Sequence, residues 1–382
     1  VLFFYTSFPF QFRNPYIVNN FNPMILFLDL SYLCSTILGT CPIQVKHIRM
    51  QTGSSHDYIC FISQKLFSNT VINQNIDFST CQADSKAQTT LFLEGGYVEN
   101  FKIITSININ ENQQFNGVFG TYIQYLHIQN CQIEINMTGA DTALAVGLVF
   151  AANKLVIFAS NFTFRNFNMM QSYSGLSDFV SNYTDIRLLI LVQNIKVAFD
   201  GFALARKCKN YTFVSNSQFD VQIINEEQNQ GMAGLVGFVD DIFEMNNTKI
   251  NILINGKNFT MGGLTSYLGY LGVQFVLNNS LVEIQLTNGA GAAGGIAGVM
   301  VKGSYAGQSM SSVKLENTRI VGSITMLDET YLSVSQLVGY WDTQLTSTFS
   351  ANNVTTQICG PTRLVNNETR IEGTQVVQNG CV

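Results

Sequence analysis

A glycine-framed apolar pair, then asparagine, then alternating aliphatics recur along this chain, and that recurrence restricts the fold more than any other feature. Gly234-Leu235-Val236-Gly237 leads to Asn246-Asn247-Thr248 and on to Ile250, Ile252 and Ile254. Gly263-Leu264 leads to Asn278-Asn279-Ser280 with Val282, Ile284 and Leu286. Gly294-Gly295-Ile296-Ala297-Gly298 precedes Asn317-Thr318 with Ile320, Gly322 and Ile324. Self-similarity at about 20 to 50 residues marks one supersecondary unit stacked many times, because a unit of that size covers its apolar face only with the next copy.

With the asparagine of each unit as origin, the apolar offsets hold over much of the chain. Asn130 has Leu126 and Ile128 before it and Ile133, Ile135 and Met137 after it; Asn216 has Val214, then Phe219, Val221 and Ile223. Asn353 continues the series with Phe349 and Ala351, and weaker copies are centred on Asn73, Asn100, Asn161 and Asn194. A strand alternates its faces, so inward positions differ by two. The positions before and after the asparagine have opposite parity, which requires a corner that restores the inward direction. Asparagine suits it, since it tolerates left-handed backbone and bonds neighbouring backbone groups. The reading places Asn130, Asn216, Asn247, Asn279 and Asn317 at inward-facing corners, stacked as an internal amide ladder. With the Gly-Leu-Val-Gly element as a further strand, the fold class is all-β: a parallel β-solenoid of about 8 to 10 coils, a rod of about 40 to 50 Å at the strand spacing.

No proline occurs between Pro42 and Pro361. Proline removes a ladder donor, and in a solenoid nearly every strand is central. Hydrophobic residues make up 46% and charged residues 12%, so the core is ample and the surface is chiefly Asn, Gln, Ser and Thr. A net charge of -5 with no basic stripe excludes nucleic acid as a partner. Neutral polar faces suit protein or carbohydrate contact at a surface, or self-assembly.

The ends differ from the middle. Residues 1–40 form an extension; within it Met24 to Gly39 resembles the apolar part of a secretory signal, although it carries Asp29 and lacks a basic leader, or else caps the solenoid. Residues 41–87 read as an N-terminal cap with an early coil, 88–357 as the repeats and 358–382 as a C-terminal cap or tail. Of the eight cysteines, Cys34, Cys41, Cys60 and Cys81 fall early and Cys359 and Cys381 close the chain. Terminal coils need a cap, and disulfides hold caps that bury little surface. Disulfide-capped ends are therefore expected, and an oxidising compartment with them. Membrane association would require an anchor not visible here.

Catalytic signals are weak. Glycoside hydrolysis needs two positioned carboxyl groups, and Asp240-Asp241 is the adjacent Asp pair that superficially fits. It reads better as a solvated turn, and His47, His56 and His127 are not framed by glycines as a pectinase-like pattern requires. No catalytic residue, metal site or cofactor is assigned. Sequons begin at Asn136, Asn161, Asn182, Asn210, Asn246, Asn258, Asn278, Asn353 and Asn367. Asn182, Asn258 and Asn367 are read as loop positions and the better glycan acceptors, with Asn136, Asn210, Asn246 and Asn278 behind them.

The glycine elements at Gly234–Gly237, Gly263-Leu264, Gly294–Gly298 and Leu337-Val338-Gly339, each followed by an Asn-Thr or Asn-Ser strand or a near variant, resemble the GLUG-type repeats of secreted and surface adhesin-like proteins. Leu148, Leu176 and Leu204 lie in units that lack the second glycine. The resemblance implies a cell-surface or extracellular role and no catalytic residue. The expected function is non-enzymatic adhesion or assembly through a solenoid face. Two alternatives remain open: a carbohydrate-active β-helix lyase or hydrolase, or a subunit of an extracellular filament or coat.

Overall fold

A computed structural model of the chain describes residues 96–109, 114–139, 144–167, 180–193, 204–208, 210–229, 231–258, 260–269, 273–300, 312–327, 333–341, 348–361 and 363, with short strands at 44–45, 66–68, 71–73, 88–89, 171–172, 199–201, 371–372 and 376–378. The described elements are all strands, and every pairing between them is parallel. The chain is a parallel β-solenoid.

One coil shows the construction. Gly231–Ala233 and Val236–Val239 form two short sides, Ile242–Asn246 a third and Lys249–Asn258 the fourth, each pairing with its counterpart one coil on. The fourth sides build a 12-stranded sheet and the third sides an 11-stranded one; each short side builds a sheet of five. Five coils, from Phe199 to Cys359, thus have strands on all four sides, against the eight to ten coils expected. The long sheets continue beyond them, because earlier coils close differently: Gly120–Gln129 and Val149–Phe158 are single ten-residue strands where later coils use two.

Register follows from the aliphatic columns. Phe219 pairs with Ile250, Val221 with Ile252 and Ile223 with Ile254; these pair in turn with Val282, Ile284 and Leu286. All nine are buried. A slip of one residue would turn a whole column outward, so each coil fixes its neighbour's register. Aromatic pairs stack in the same way, Phe243 on Phe275 with ring centroids 5.4 Å apart.

The glycine-framed element earns its composition by proximity. Leu204, Leu235, Leu264, Ile296 and Leu337 occupy one buried corner, linked from coil to coil by backbone bonds such as Leu264 N–H to Ile296 O at 3.0 Å. The residue just before this corner crosses directly over the opposite sheet. A Cβ on Gly263 would lie 2.1 Å from the Gly295 carbonyl oxygen and 3.0 Å from Ile284 Cγ2. The second glycine answers to another contact: a Cβ on Gly339 would meet the backbone of Ala293, one coil earlier, at 2.5 Å. The motif is therefore where the coil is thinnest.

Cys34, Cys41, Cys60, Cys81 and Cys381, His47 and His56, and the segment Met24 to Gly39 lie outside the described residues. Cys131 and Cys208 are buried thiols. Cys359 is disulfide-bonded at the end of the last complete coil, with its partner outside the described residues, so no cap pairing is defined.

Replacing Gly263 with alanine should lower stability by about 1 to 3 kcal/mol, since the obstructing atom is a backbone carbonyl that cannot rotate away. Replacing the exposed Gln285 on the outer face should change it by less than about 0.5 kcal/mol. Thermal melts of the two variants check this; equal losses would show that the coil is not tight at Gly263.

Candidate functional site

The asparagines stand at the corner between the two long sheets, and their backbone is left-handed: φ is 52° at Asn130, 48° at Asn216, 51° at Asn247, 48° at Asn279 and 47° at Asn317. Asn100 and Asn353 share this conformation at 52° and 53°. In the coils without a corner asparagine the position falls to Ala159 and Asp185, at 47° and 53°. The copy centred on Asn161 is therefore two residues late: Asn161 opens a strand and Ala159 makes the corner. Asn194 lies outside the described residues, and Asn73 ends a short strand.

These corner side chains do not face inward. Asn130, Asn216, Asn247, Asn279 and Asn317 are exposed, and the next residue of each coil is the buried one: Cys131, Ser217, Thr248, Ser280 and Thr318. A left-handed residue swings the chain so that two consecutive residues point outward before the following one returns to the core. The parity change falls between the asparagine and the residue before it, as at Asn246 and Asn247, not between the asparagine and the third residue after it. The amide ladder exists, but on the outside. Asn247 Nδ2 donates to Asn216 Oδ1 at 2.7 Å, Asn353 Nδ2 to Asn317 Oδ1 at 2.8 Å, and Asn279 Nδ2 to Asn246 Oδ1 at 3.3 Å.

The polar network inside belongs to the hydroxyls that follow. Ser217, Thr248, Ser280 and Thr318 each donate to the carbonyl two residues back, at 2.6, 3.1, 2.8 and 2.7 Å. The serine hydroxyls also accept a backbone N–H from the coil before: Ser160 from Cys131, Ser217 from Ile186 and Ser280 from Thr248. A buried amide that the corner geometry would orphan is thereby satisfied. Sequence reasoning missed this column, although the Asn-Thr and Asn-Ser pairs were its visible trace.

Cys131 occupies the same column and copies its bond, Sγ donating to Gln129 O at 3.1 Å. Burial pushes its pKa from 9.0 to about 11, outweighing hydrogen bonds to the backbone of Phe101 and Gln129.

The corner column and the first outward residues of the following strands border a groove of about 510 Å³ running along the stack. Its rim carries Asp185, Asn216, Asn247 and Asn279 on one side and Arg187, Gln218, Lys249 and Leu281 on the other. Ile186, Ser217 and Thr248 lie between them.

Other sequence candidates fall elsewhere. Asp240 is 6% exposed, so the solvated-turn reading fails for it, and Asp241 is partly buried. The Asp240 amide donates to Cys208 O at 3.0 Å, which tucks this corner in. His127 lies on an outer face, with Nδ1 3.4 Å from the Tyr125 hydroxyl. Among the described residues no three His, Cys, Asp or Glu side chains gather as a metal-binding group. Asn182 lies within the strand Val180–Thr184 and Asn258 ends the strand Lys249–Asn258, so neither is a loop residue; Asn367 is outside the described residues. Asn210 is exposed and left-handed at 60°, whereas Asn136 accepts a bond from Arg165 Nη1 at 3.0 Å. For Asn246 and Asn278 the sequon's third residue is the buried Thr248 or Ser280, so these two sequons are a by-product of the corner. No family model, curated protein or solved structure matches the chain.

Two outcomes follow. Ser280→Ala should cost about 1 to 3 kcal/mol by orphaning the buried Thr248 amide, and Asn279→Ala about 1 kcal/mol through the left-handed backbone; denaturant melts compare them. The raised pKa of Cys131 favours the neutral thiol in the folded state. Its contribution is fully present below pH 9, is lost as pH rises from about 9 to about 11, and should be absent in Cys131→Ser. Stability measured across that range checks the sign.

Proposed function

We propose that this chain is a non-enzymatic extracellular or cell-surface repeat protein that binds through the outer corner of its solenoid, for adhesion or assembly. The observation that carries the reading is the groove, whose corner rim repeats one polar side chain per coil, Asp185, Asn216, Asn247 and Asn279, and whose other rim carries Arg187, Gln218 and Lys249 before Leu281. A ligand made of repeating units is the natural complement of such a surface. The backbone beneath is already committed: Asn247 N–H donates to Asn278 O and Lys249 N–H to Ser217 O. Recognition therefore rests on side chains. The glycine-framed corners, with their tight approach to Ile284 and Ala293, support kinship with the GLUG-type adhesin-like repeats, and the bonded Cys359 supports a disulfide-held C-terminal end. Burial of Asp240 takes one carboxyl of the adjacent pair away from solvent, which disfavours the glycosidase alternative.

The test is binding of the full chain, expressed through a secretory host, to intact cells and to immobilised polysaccharides. Substituting Gln218, Asn247 and Lys249 together with alanine should weaken binding about tenfold, as expected for several lost side-chain contacts. Retained binding in that variant, or bond cleavage in any bound polysaccharide, overturns the reading.

A further inference from the structure

We propose that the corner groove takes a linear acidic polysaccharide whose carboxylates lie on alternate sugars; this deepens the surface-binding reading and rests on it. The argument begins with one outward column of the 12-stranded sheet. Arg187 pairs in register with Gln218, Gln218 with Lys249, Lys249 with Leu281 and Leu281 with Arg319. Cation and neutral residue therefore alternate coil by coil. Arg187, Lys249 and Arg319 are exposed, and the first two stand on the groove's rim. Successive cations lie two strand spacings apart, about 10 Å. A pyranose unit advances a glycan by close to one spacing, so every second sugar meets a cation and the sugar between meets Gln218 or Leu281.

Two of the acids nearby are held by neighbouring side chains. Asp220 accepts from Gln218 Nε2 at 2.9 Å and from Asn251 Nδ2 at 3.5 Å, and Glu316 pairs with Lys314 at 2.9 Å. Glu283 stands one column further from the corner, and Asp185 closes the groove's first coil. Binding of Asp220 by the Gln218 amino group leaves the Gln218 carbonyl oxygen for a sugar hydroxyl, while the corner amides offer donors and acceptors along the other rim. An extended peptide paired through its main chain is a poor occupant, because the backbone N–H groups of Arg187, Lys249 and Arg319 donate to Ser160, Ser217 and Ser280 of the preceding coils. Nucleic acid presents a phosphate at every unit, whereas here the cations alternate with neutral residues and Asp185 shares the rim.

Calorimetric titration of the full chain with an oligosaccharide alternating a uronic acid and an N-acetylhexosamine tests this. The carboxyl-reduced oligosaccharide and a single-stranded DNA of equal charge are the comparison probes. The acidic oligosaccharide should bind, and carboxyl reduction should weaken it about tenfold, as should Arg187→Gln with Lys249→Gln; charge-keeping Arg187→Lys with Lys249→Arg should retain most of the affinity. Lys154→Gln and Lys314→Gln, on the other long sheet, should leave it unchanged. An unaltered melting temperature in the glutamine pair shows that the loss is in binding. Equal affinity for the reduced form, equal affinity for DNA, or indifference to the glutamine pair overturns the acidic-glycan inference. If the chain binds cells but no acidic oligosaccharide, this inference falls and the surface-binding reading stands; if it binds nothing, both fall.

Discussion

Everything in this molecule depends on the coil-to-coil ladder, through which the described strands satisfy their backbones in neighbouring coils. Parallel pairing sends each strand's donors and acceptors to the coils before and after it, and the inward aliphatics stack on their own equivalents. The two requirements reinforce each other. Backbone pairing holds coils one strand spacing apart, and at that spacing only like-sized side chains fill a continuous core without gaps. Exceptions show the rule locally. Gly322 stands opposite Ile284 with φ at 138°, and a Cβ there would lie 1.7 Å from the Ile284 carbonyl oxygen. The Thr356 hydroxyl fills an inward place by donating to Gln336 Oε1 at 2.9 Å.

The columns were legible because they depend on a period of two, which one sequence displays directly. Ile250, Ile252 and Ile254 announce an inward face wherever they stand, and the recurrence of asparagine announces a corner. Which way the asparagine points was not legible. That is decided by one left-handed dihedral, and alternation counted across such a residue gives the wrong face. The position of Ala159 was hidden for a related reason: an alanine carries no corner signal, and Asn161 two residues later offered a misleading one.

The groove lay further from reach. It is bounded by Asp185, Asn216, Asn247 and Asn279 on one rim and by residues two positions further along each strand on the other. Its existence requires knowing that the corner side chains project outward, so the error about their direction concealed the site as well. The burial of Asp240 is another matter of tertiary context: its neighbours are in other coils, where its amide meets Cys208. Adjacent acids read from sequence alone look like a solvated turn because nothing local says otherwise.

The serine and threonine column gives the stack a chemical arrow. In each such link an amide of one coil leans on a hydroxyl of the next: Cys131 on Ser160, Ile186 on Ser217, Thr248 on Ser280. Shortening the stack from its C-terminal end strips an amide of its acceptor inside the core. Shortening it from the other end idles a lone pair on a hydroxyl whose own proton is still donated, and it takes carbonyl acceptors from amides such as those of Lys249 and Arg319. The two exposed ends of a broken stack therefore differ in kind: one bares amides that leaned on the next coil's hydroxyls, the other bares amides that leaned on the preceding coil's carbonyls.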